Sequence, residues 1–192
     1  MTNEKYQNKY RIPSARATWH DYNGGAYFIT VCTKNKEHYF GEIVNGELQS
    51  SPIGEIAKQY WSDIPNHFPF VDLDKFVIMP NHLHGILVFD KNDDDAQCRD
   101  AINRRDAINR VSTPGGGITG IHNPMLHENL GHVLRWFKGR VSFECGKINR
   151  DFAWQTRFYD HIIRDNNAWE NIRAYIYHNP TNWVDDELNT TM

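Results

Sequence analysis

The run Pro80-Asn81-His82-Leu83-His84-Gly85-Ile86-Leu87-Val88-Phe89 sets two imidazoles two residues apart at the head of an apolar stretch. Taken as a strand, it puts His82, His84, Ile86 and Val88 on one face and Leu83, Leu87 and Phe89 on the other. The imidazoles then stand about 7 Å apart along the strand, a spacing that suits two ligands of one divalent ion. The plainer alternative is a pair of hydrogen-bonded polar residues at a strand end. A second set of residues bears on that choice. In Tyr175-Ile176-Tyr177-His178-Asn179-Pro180, Tyr175 and Asn179 are four apart and share a helix face, while Tyr177 points the other way. A helix carrying a tyrosine nucleophile and an amide ligand, laid on the face bearing His82 and His84, would assemble a compact site. Two imidazoles and an amide oxygen are three neutral ligands, and they leave positions for a scissile phosphate and water. The ion would polarise a phosphodiester and the tyrosine would attack phosphorus. A phenol has a pKa of about 10, so it needs the metal or a basic neighbour to ionise. Tyr175 also fits a packing aromatic, and Asn179 fits a helix end before proline. Spacing alone does not separate Tyr175 from Tyr159 or Tyr177.

Several elements must position these groups. Tyr27 to Thr33 is β-branched and aromatic after Gly24-Gly25, and reads as a central strand. His38 to Ile43 and Glu47 to Gln49 flank Asn45-Gly46, a hairpin signal. Pro52 to Ile64 repeats apolar residues at three and four, the pattern of an amphipathic helix with proline in its first turn. Phe70 to Met79 and His82 to Phe89 are extended runs joined tightly by Pro80-Asn81, which predicts antiparallel pairing. Residues 90–124 hold Asp93-Asp94-Asp95, a tandem RDAINR repeat and a glycine cluster, and read as an insertion. A helix follows from Leu126, an extended stretch over Phe152 to Ile163, and a last helix from Asn166 to about Asn179, capped from Asp165-Asn166-Asn167 and stopped by Pro180.

Composition narrows the class. The 192 residues are 40% hydrophobic and 13% aromatic, which predicts one globular domain over 1–192 with a full core. No apolar run approaches the ~20 residues of a membrane span, and the polar N-terminus lacks a signal-peptide core. Cys32, Cys98 and Cys145 form no C-x-x-C pair, which argues against a disulfide framework or thiolate zinc site and makes a reduced, cytoplasmic protein the expectation. The net charge is −3, yet residues 132–164 hold seven basic side chains (Arg135, Lys138, Arg140, Lys147, Arg150, Arg157, Arg164) against three acidic ones. The arm over 1–20 adds Lys5, Lys9, Arg11 and Arg16, while acids gather at Asp90 to Asp95 and Asp185 to Glu187. A basic face with acidic edges is compatible with a phosphate backbone.

With these pieces in order, the chain resembles the single-tyrosine transposases of the HUH nuclease superfamily, and more narrowly the REP-associated tyrosine transposases. The matching segments are Lys9 to Arg16, Gly25 to Thr30, Tyr39 to Ile43, Met79 to Ile86, Trp154-Gln155 with Arg157 to Arg164, and Tyr175 to Pro180. They span residue 9 to about 184 except the insertion. The resemblance implies an α+β fold, a central antiparallel sheet with helices packed on it, related to ferredoxin-like architectures. It implies His82 and His84 as the metal-binding pair, Asn179 as third ligand and Tyr175 as nucleophile. Relatives in mobile insertion sequences usually carry glutamine at the Asn179 position, so asparagine points to the REP-associated branch. The implied activity is cleavage of single-stranded DNA beside a hairpin, through a 5′-phosphotyrosine and a free 3′-hydroxyl that can reverse the step on another strand. Mg²⁺ or Mn²⁺ is the implied cofactor, and hairpin-bearing single-stranded DNA the partner. Arg11, Arg16, Arg135, Lys138, Arg140, Arg157 and Arg164 are the expected DNA contacts, with the arm helping to read bases beside the hairpin. Whether the chain pairs as a homodimer stays open. A hairpin-binding protein without productive transposition is the alternative from another class. An RNA-binding sheet fits less well, because its platform needs exposed aromatics where this face carries histidines.

Overall fold

The computed structural model describes residues 24–89 and 129–189, with a short ladder between Lys5–Tyr6 (β1) and Lys9–Tyr10 (β2) in the N-terminal arm. The expectations for Arg11, Arg16, Cys98 and the 90–124 insertion lie outside the described residues. The centre is a four-stranded antiparallel sheet in the order β6-β7-β3-β8, formed by β3 (Gly25–Cys32), β6 (Val71–Met79), β7 (His82–Phe89) and β8 (Tyr159–Ile163). The α+β architecture anticipated from the sequence is the one observed. Because β7 lies between β6 and β3, its histidines sit inside the sheet rather than on an edge.

Period-two alternation sorts the strand side chains onto two faces. On one face Tyr27, Ile29, Val31, Leu83, Leu87 and Phe89 meet α1 (Pro52–Ser62), the single turn α2 (Ile64–His67) and α3 (Leu130–Cys145) in the main core. Ser51 caps α1, its hydroxyl accepting from the Gly54 amide at 3.0 Å, and Pro52 occupies the first turn where no amide is missed. The opposite face buries Ala26, Ile86 and Ile163 under Ile176 of α4 (Asn166–His178). Asp165 caps α4 by accepting from the Ala168 amide at 2.8 Å. Where β6 is irregular between Leu73 and Phe76, Asp74 accepts from Trp169 Nε1 at 2.6 Å and pairs with Arg173 at 3.1 Å. Those two bonds fix how α4 lies on the sheet. The side hairpin β4 (Gly41–Val44) and β5 (Glu47–Ser50) turns at Asn45-Gly46, both with positive φ, as its tight turn requires.

The stretch from Phe152 differs from expectation. Only Tyr159–Ile163 is strand; Trp154 makes a single bridge to Thr33. Lys138 Nζ donates to the carbonyls of Gln155 and Arg157 at 2.7 and 2.9 Å, and Arg157 has φ +77°. Carbonyls captured by a lysine, next to a left-handed residue, cannot extend a ladder. Among the described residues no helix is long and apolar enough to cross a membrane.

Gly85 separates the histidines from the apolar half of β7 and faces α1. A Cβ there would lie 2.4 Å from Trp61 Cζ2 and 3.1 Å from Phe76 Cβ. Trp61 is fully buried, so it cannot swing clear. Gly85→Ala is expected to lower stability by about 1–3 kcal/mol through overpacking, read as a reduced urea midpoint; an unchanged midpoint would show that α1 yields freely.

Candidate metal and tyrosine site

The site is built at one end of β7, where β3, α4 and the segment after α4 converge. His82 and His84 are 0% and 3% exposed, with ring centroids 4.4 Å apart on the same sheet face. Hydrogen bonds fix the orientation of each ring. Asn81, fully buried in the β6–β7 turn, donates from Nδ2 to the carbonyls of Lys36 and Leu188 at 3.2 and 2.8 Å. Two carbonyl partners identify that atom as the nitrogen, so its Oδ1, 2.7 Å from His82 Nδ1, is an acceptor. The His82 proton therefore sits on Nδ1, and Nε2 turns a lone pair into the site. His84 is held likewise, with Thr30 Oγ1 2.8 Å from its Nδ1, and its Nε2 shares a hydrogen bond with the Tyr175 hydroxyl at 3.2 Å. A metal-binding histidine is commonly held in this way, through its other ring nitrogen.

Helix α4 supplies the other half. Tyr175 is 47% exposed and Asn179 3% exposed, as their four-residue spacing on an amphipathic helix allows. Phe28 packs beside them, its ring 5.1 Å from His84 and 6.0 Å from Tyr175. Asn179 Nδ2 donates to Asp186 Oδ2 at 2.8 Å, which turns its Oδ1 inward. That oxygen and His82 Nε2 are both buried and both without a hydrogen-bond partner. Both buried acceptors lack a donor, and buried polar groups are rarely left so. A divalent cation held between them would satisfy both. Two imidazole nitrogens and an amide oxygen are donors that Mn²⁺ accepts readily and Mg²⁺ accepts less well.

Asp186 was not among the residues singled out from the sequence. Its carboxylate and the two imidazoles bring three potential ligand atoms within 4.8 Å of one another. A short helical turn, Trp183–Asp185, reverses the chain after α4, with Trp183 buried 5.9 Å from the His82 ring. Asp186 Oδ1 then accepts from the Leu188 amide at 2.7 Å. In the sequence it is one of three neighbouring acids with no motif around it; Trp183, the apolar residue anchoring the turn, was the available signal.

The expected DNA contacts divide. Arg157 lines the cleft that holds His84 and Tyr175, an open space of about 940 Å³. Arg135 and Arg140 are exposed on α3, on the sheet face away from the histidines, and Arg140 rests against Tyr60. Lys138 is committed to the loop carrying Arg157. Arg164 is exposed just beyond β8. Of the rival tyrosines, Tyr177 turns away, its ring under Lys75 Nζ at 5.6 Å, while Tyr159 lines the same cleft as Tyr175.

Burial sets the protonation states. It pushes His82 well below the ordinary 6.5, with His84's charge adding to the effect and the Asn179 side chain opposing it. It lowers His84 to about 4 against the pull of Asp186. Both rings are neutral near pH 7, as ligands must be. Burial, then Asp186, raises the Tyr175 phenol, while Asn179 lowers it. Without a cation nearby, Tyr175 stays protonated. The depressed histidines also make a stability prediction. In EDTA the folded protein is expected to keep full stability above pH 6.5 and to lose it as pH falls toward 4, because the unfolded chain takes up protons the folded rings refuse. For His84 the whole window is worth about 3 kcal/mol. Urea unfolding at stepped pH reads it, and His84→Gln should flatten the slope; an equal slope in that variant would remove the buried ring as its source.

No family model matches the chain. An uncharacterised protein of Haemophilus influenzae is 38% identical over 165 residues, covering 85% of this chain and 84% of its own. The REP-associated tyrosine transposase of Escherichia coli K12 is 23% identical over 163 residues, covering 84% of this chain and 70% of its own. Among solved structures, a REP-associated tyrosine transposase bound to a REP hairpin superposes with a TM-score of 0.57 at 17% identity, over 90% of this chain and 74% of that one, and shares the fold.

Proposed function

We propose that the chain is a REP-associated tyrosine transposase, as its similarity to such proteins supports, and that it cleaves and rejoins single-stranded DNA beside a hairpin, with Tyr175 as nucleophile. The observation that carries this reading is the pair of buried, unpartnered acceptors, His82 Nε2 and Asn179 Oδ1, next to a tyrosine hydroxyl 3.2 Å from His84 Nε2. His82, His84 and Asn179, with Asp186 beside them, would hold a divalent ion. Bound there, the ion supplies a Lewis acid for the scissile phosphate and a positive charge that favours the phenolate.

The residues then have distinct tasks. Asn81 and Thr30 hold the rings so that both Nε2 atoms face inward. Phe28 holds the Tyr175 ring at the edge of the cleft. The Tyr175 oxygen attacks phosphorus, a new O–P bond forms, and the bond from phosphorus to the 3′ oxygen breaks. The phenolic proton is lost, and the departing oxygen gains one to become a 3′-hydroxyl. Attack by a 3′-hydroxyl on the phosphotyrosine runs the step backwards, which is strand transfer. Arg157 would grip the backbone near the cut; Arg135, Arg140 and Arg164, off the cleft, would meet the duplex stem.

The test incubates the protein with hairpin-bearing single-stranded DNA and Mg²⁺ or Mn²⁺ and resolves the products on a denaturing gel. A covalent protein–DNA adduct and a strand with a free 3′-hydroxyl are expected. Tight hairpin binding without nicking under either metal would replace this reading with that of a hairpin-binding protein.

A further inference from the structure

The cleft around Tyr175 is chemically lopsided. Asp185, Asp186 and Glu187 line it together with Lys36, whose Nζ donates to the Glu187 carbonyl at 3.1 Å, while the stretch entering β8 contributes Arg157 and Tyr159. A phosphate backbone leaving the reaction centre is repelled by the three carboxylates and attracted by the Arg157 guanidinium. Beside Arg157, Tyr159 is anomalous. It pairs directly across the sheet with Thr30, the residue that holds His84, so its side chain rises on the histidine face. It is 59% exposed, and among the described residues its side chain makes no hydrogen bond or ring contact. The other exposed tyrosines differ: Tyr175 bonds to His84 and Tyr177 lies under Lys75. An uncommitted aromatic face beside a reaction centre is poor packing and a good platform for a planar ligand.

Arg157 is the second observation. It holds φ +77°, a conformation that suits glycine and that L residues rarely adopt. Lys138, partly buried, maintains it through two carbonyl bonds. A side chain kept at a position where glycine would relieve the backbone is consistent with use of the guanidinium.

We propose that Tyr159 is a stacking platform for a base next to the scissile phosphate and that Arg157 holds that strand's backbone, so the single strand runs along the β8 wall of the cleft; this rests on the reading of the site as a DNA-strand transferase. Both are positioning residues. Stacking tolerates any base, because every base has a π face, so the test needs no knowledge of the natural target. It uses oligothymidylate about a dozen nucleotides long, in EDTA, with binding followed by fluorescence anisotropy. Tyr159→Ala is expected to weaken binding roughly 5- to 150-fold with the salt dependence unchanged, while Tyr159→Phe and Tyr159→Trp bind like wild type. Arg157→Ala is expected to reduce the slope of log K against log salt by about 0.7. The result that overturns the proposal is wild-type binding by a folded Tyr159→Ala protein, or a loss in Tyr159→Phe as large as in Tyr159→Ala, which would transfer the role to the hydroxyl. Absence of wild-type binding overturns it as well. Binding in EDTA requires neither metal nor cleavage, so a failure here is separate from a failure of the adduct assay.

Discussion

Tyr175→Phe is expected to abolish the covalent protein–DNA adduct and to slow strand cleavage by on the order of 10⁴-fold or more, the scale seen when a covalent nucleophile is removed. The substitution deletes one oxygen. The ring stays beside Phe28 and His84, and its half-exposed position leaves no large cavity. Fold, metal binding and hairpin affinity should therefore persist, and an inactive variant that binds metal and DNA like wild type isolates the chemical step. The lost bond to His84 Nε2 is to the same lone pair that would face the ion, so metal affinity should hold or rise slightly. An adduct that survives the change would shift the assignment to Tyr159, the other tyrosine lining this cleft; Tyr177 faces away.

Much of this site was legible before any coordinates, for identifiable reasons. Strand and helix periods are geometric, so the shared face of His82 and His84 and the shared face of Tyr175 and Asn179 followed from spacing. The same alternation put Leu83 and Leu87 in the main core and Ile86 under α4. What spacing does not carry is the arrangement between elements. Asp186 enters the site because the chain turns back after α4, and nothing local marks one acid of three. Asn81 looked like punctuation between two strands, yet its amide orients His82, because a fully buried turn must satisfy its own polar atoms. The grouping of Arg135, Lys138 and Arg140 with Arg157 as one basic face came from counting charge along the chain. The sheet lies between α3 and the site, and Lys138 supports a loop with its ammonium instead of facing solvent. The extended stretch before β8 was overestimated for the same reason: the lysine capturing its carbonyls comes from an element that precedes it.

His82→Ala is expected to weaken Mn²⁺ binding by more than the roughly 10–100-fold that loss of a residue orienting a ligand produces, and to eliminate cleavage with it. His82 is the cleaner ligand to remove, because His84 also bonds to Tyr175 and its loss would disturb two functions together. Asn81→Ala provides the graded comparison. It leaves all the donor atoms in place but frees the His82 ring to rotate and to change tautomer, so it should fall inside that 10–100-fold range. Titration calorimetry with Mn²⁺ measures both affinities, and cleavage assayed at rising Mn²⁺ separates them further. Saturating metal should restore much of the Asn81→Ala rate and little of the His82→Ala rate, since orientation can be recovered by mass action but a missing nitrogen cannot. Hairpin binding in EDTA should be unchanged in both. Wild-type Mn²⁺ affinity in a folded His82→Ala protein would remove the histidine pair from the metal site and leave its burial as packing alone.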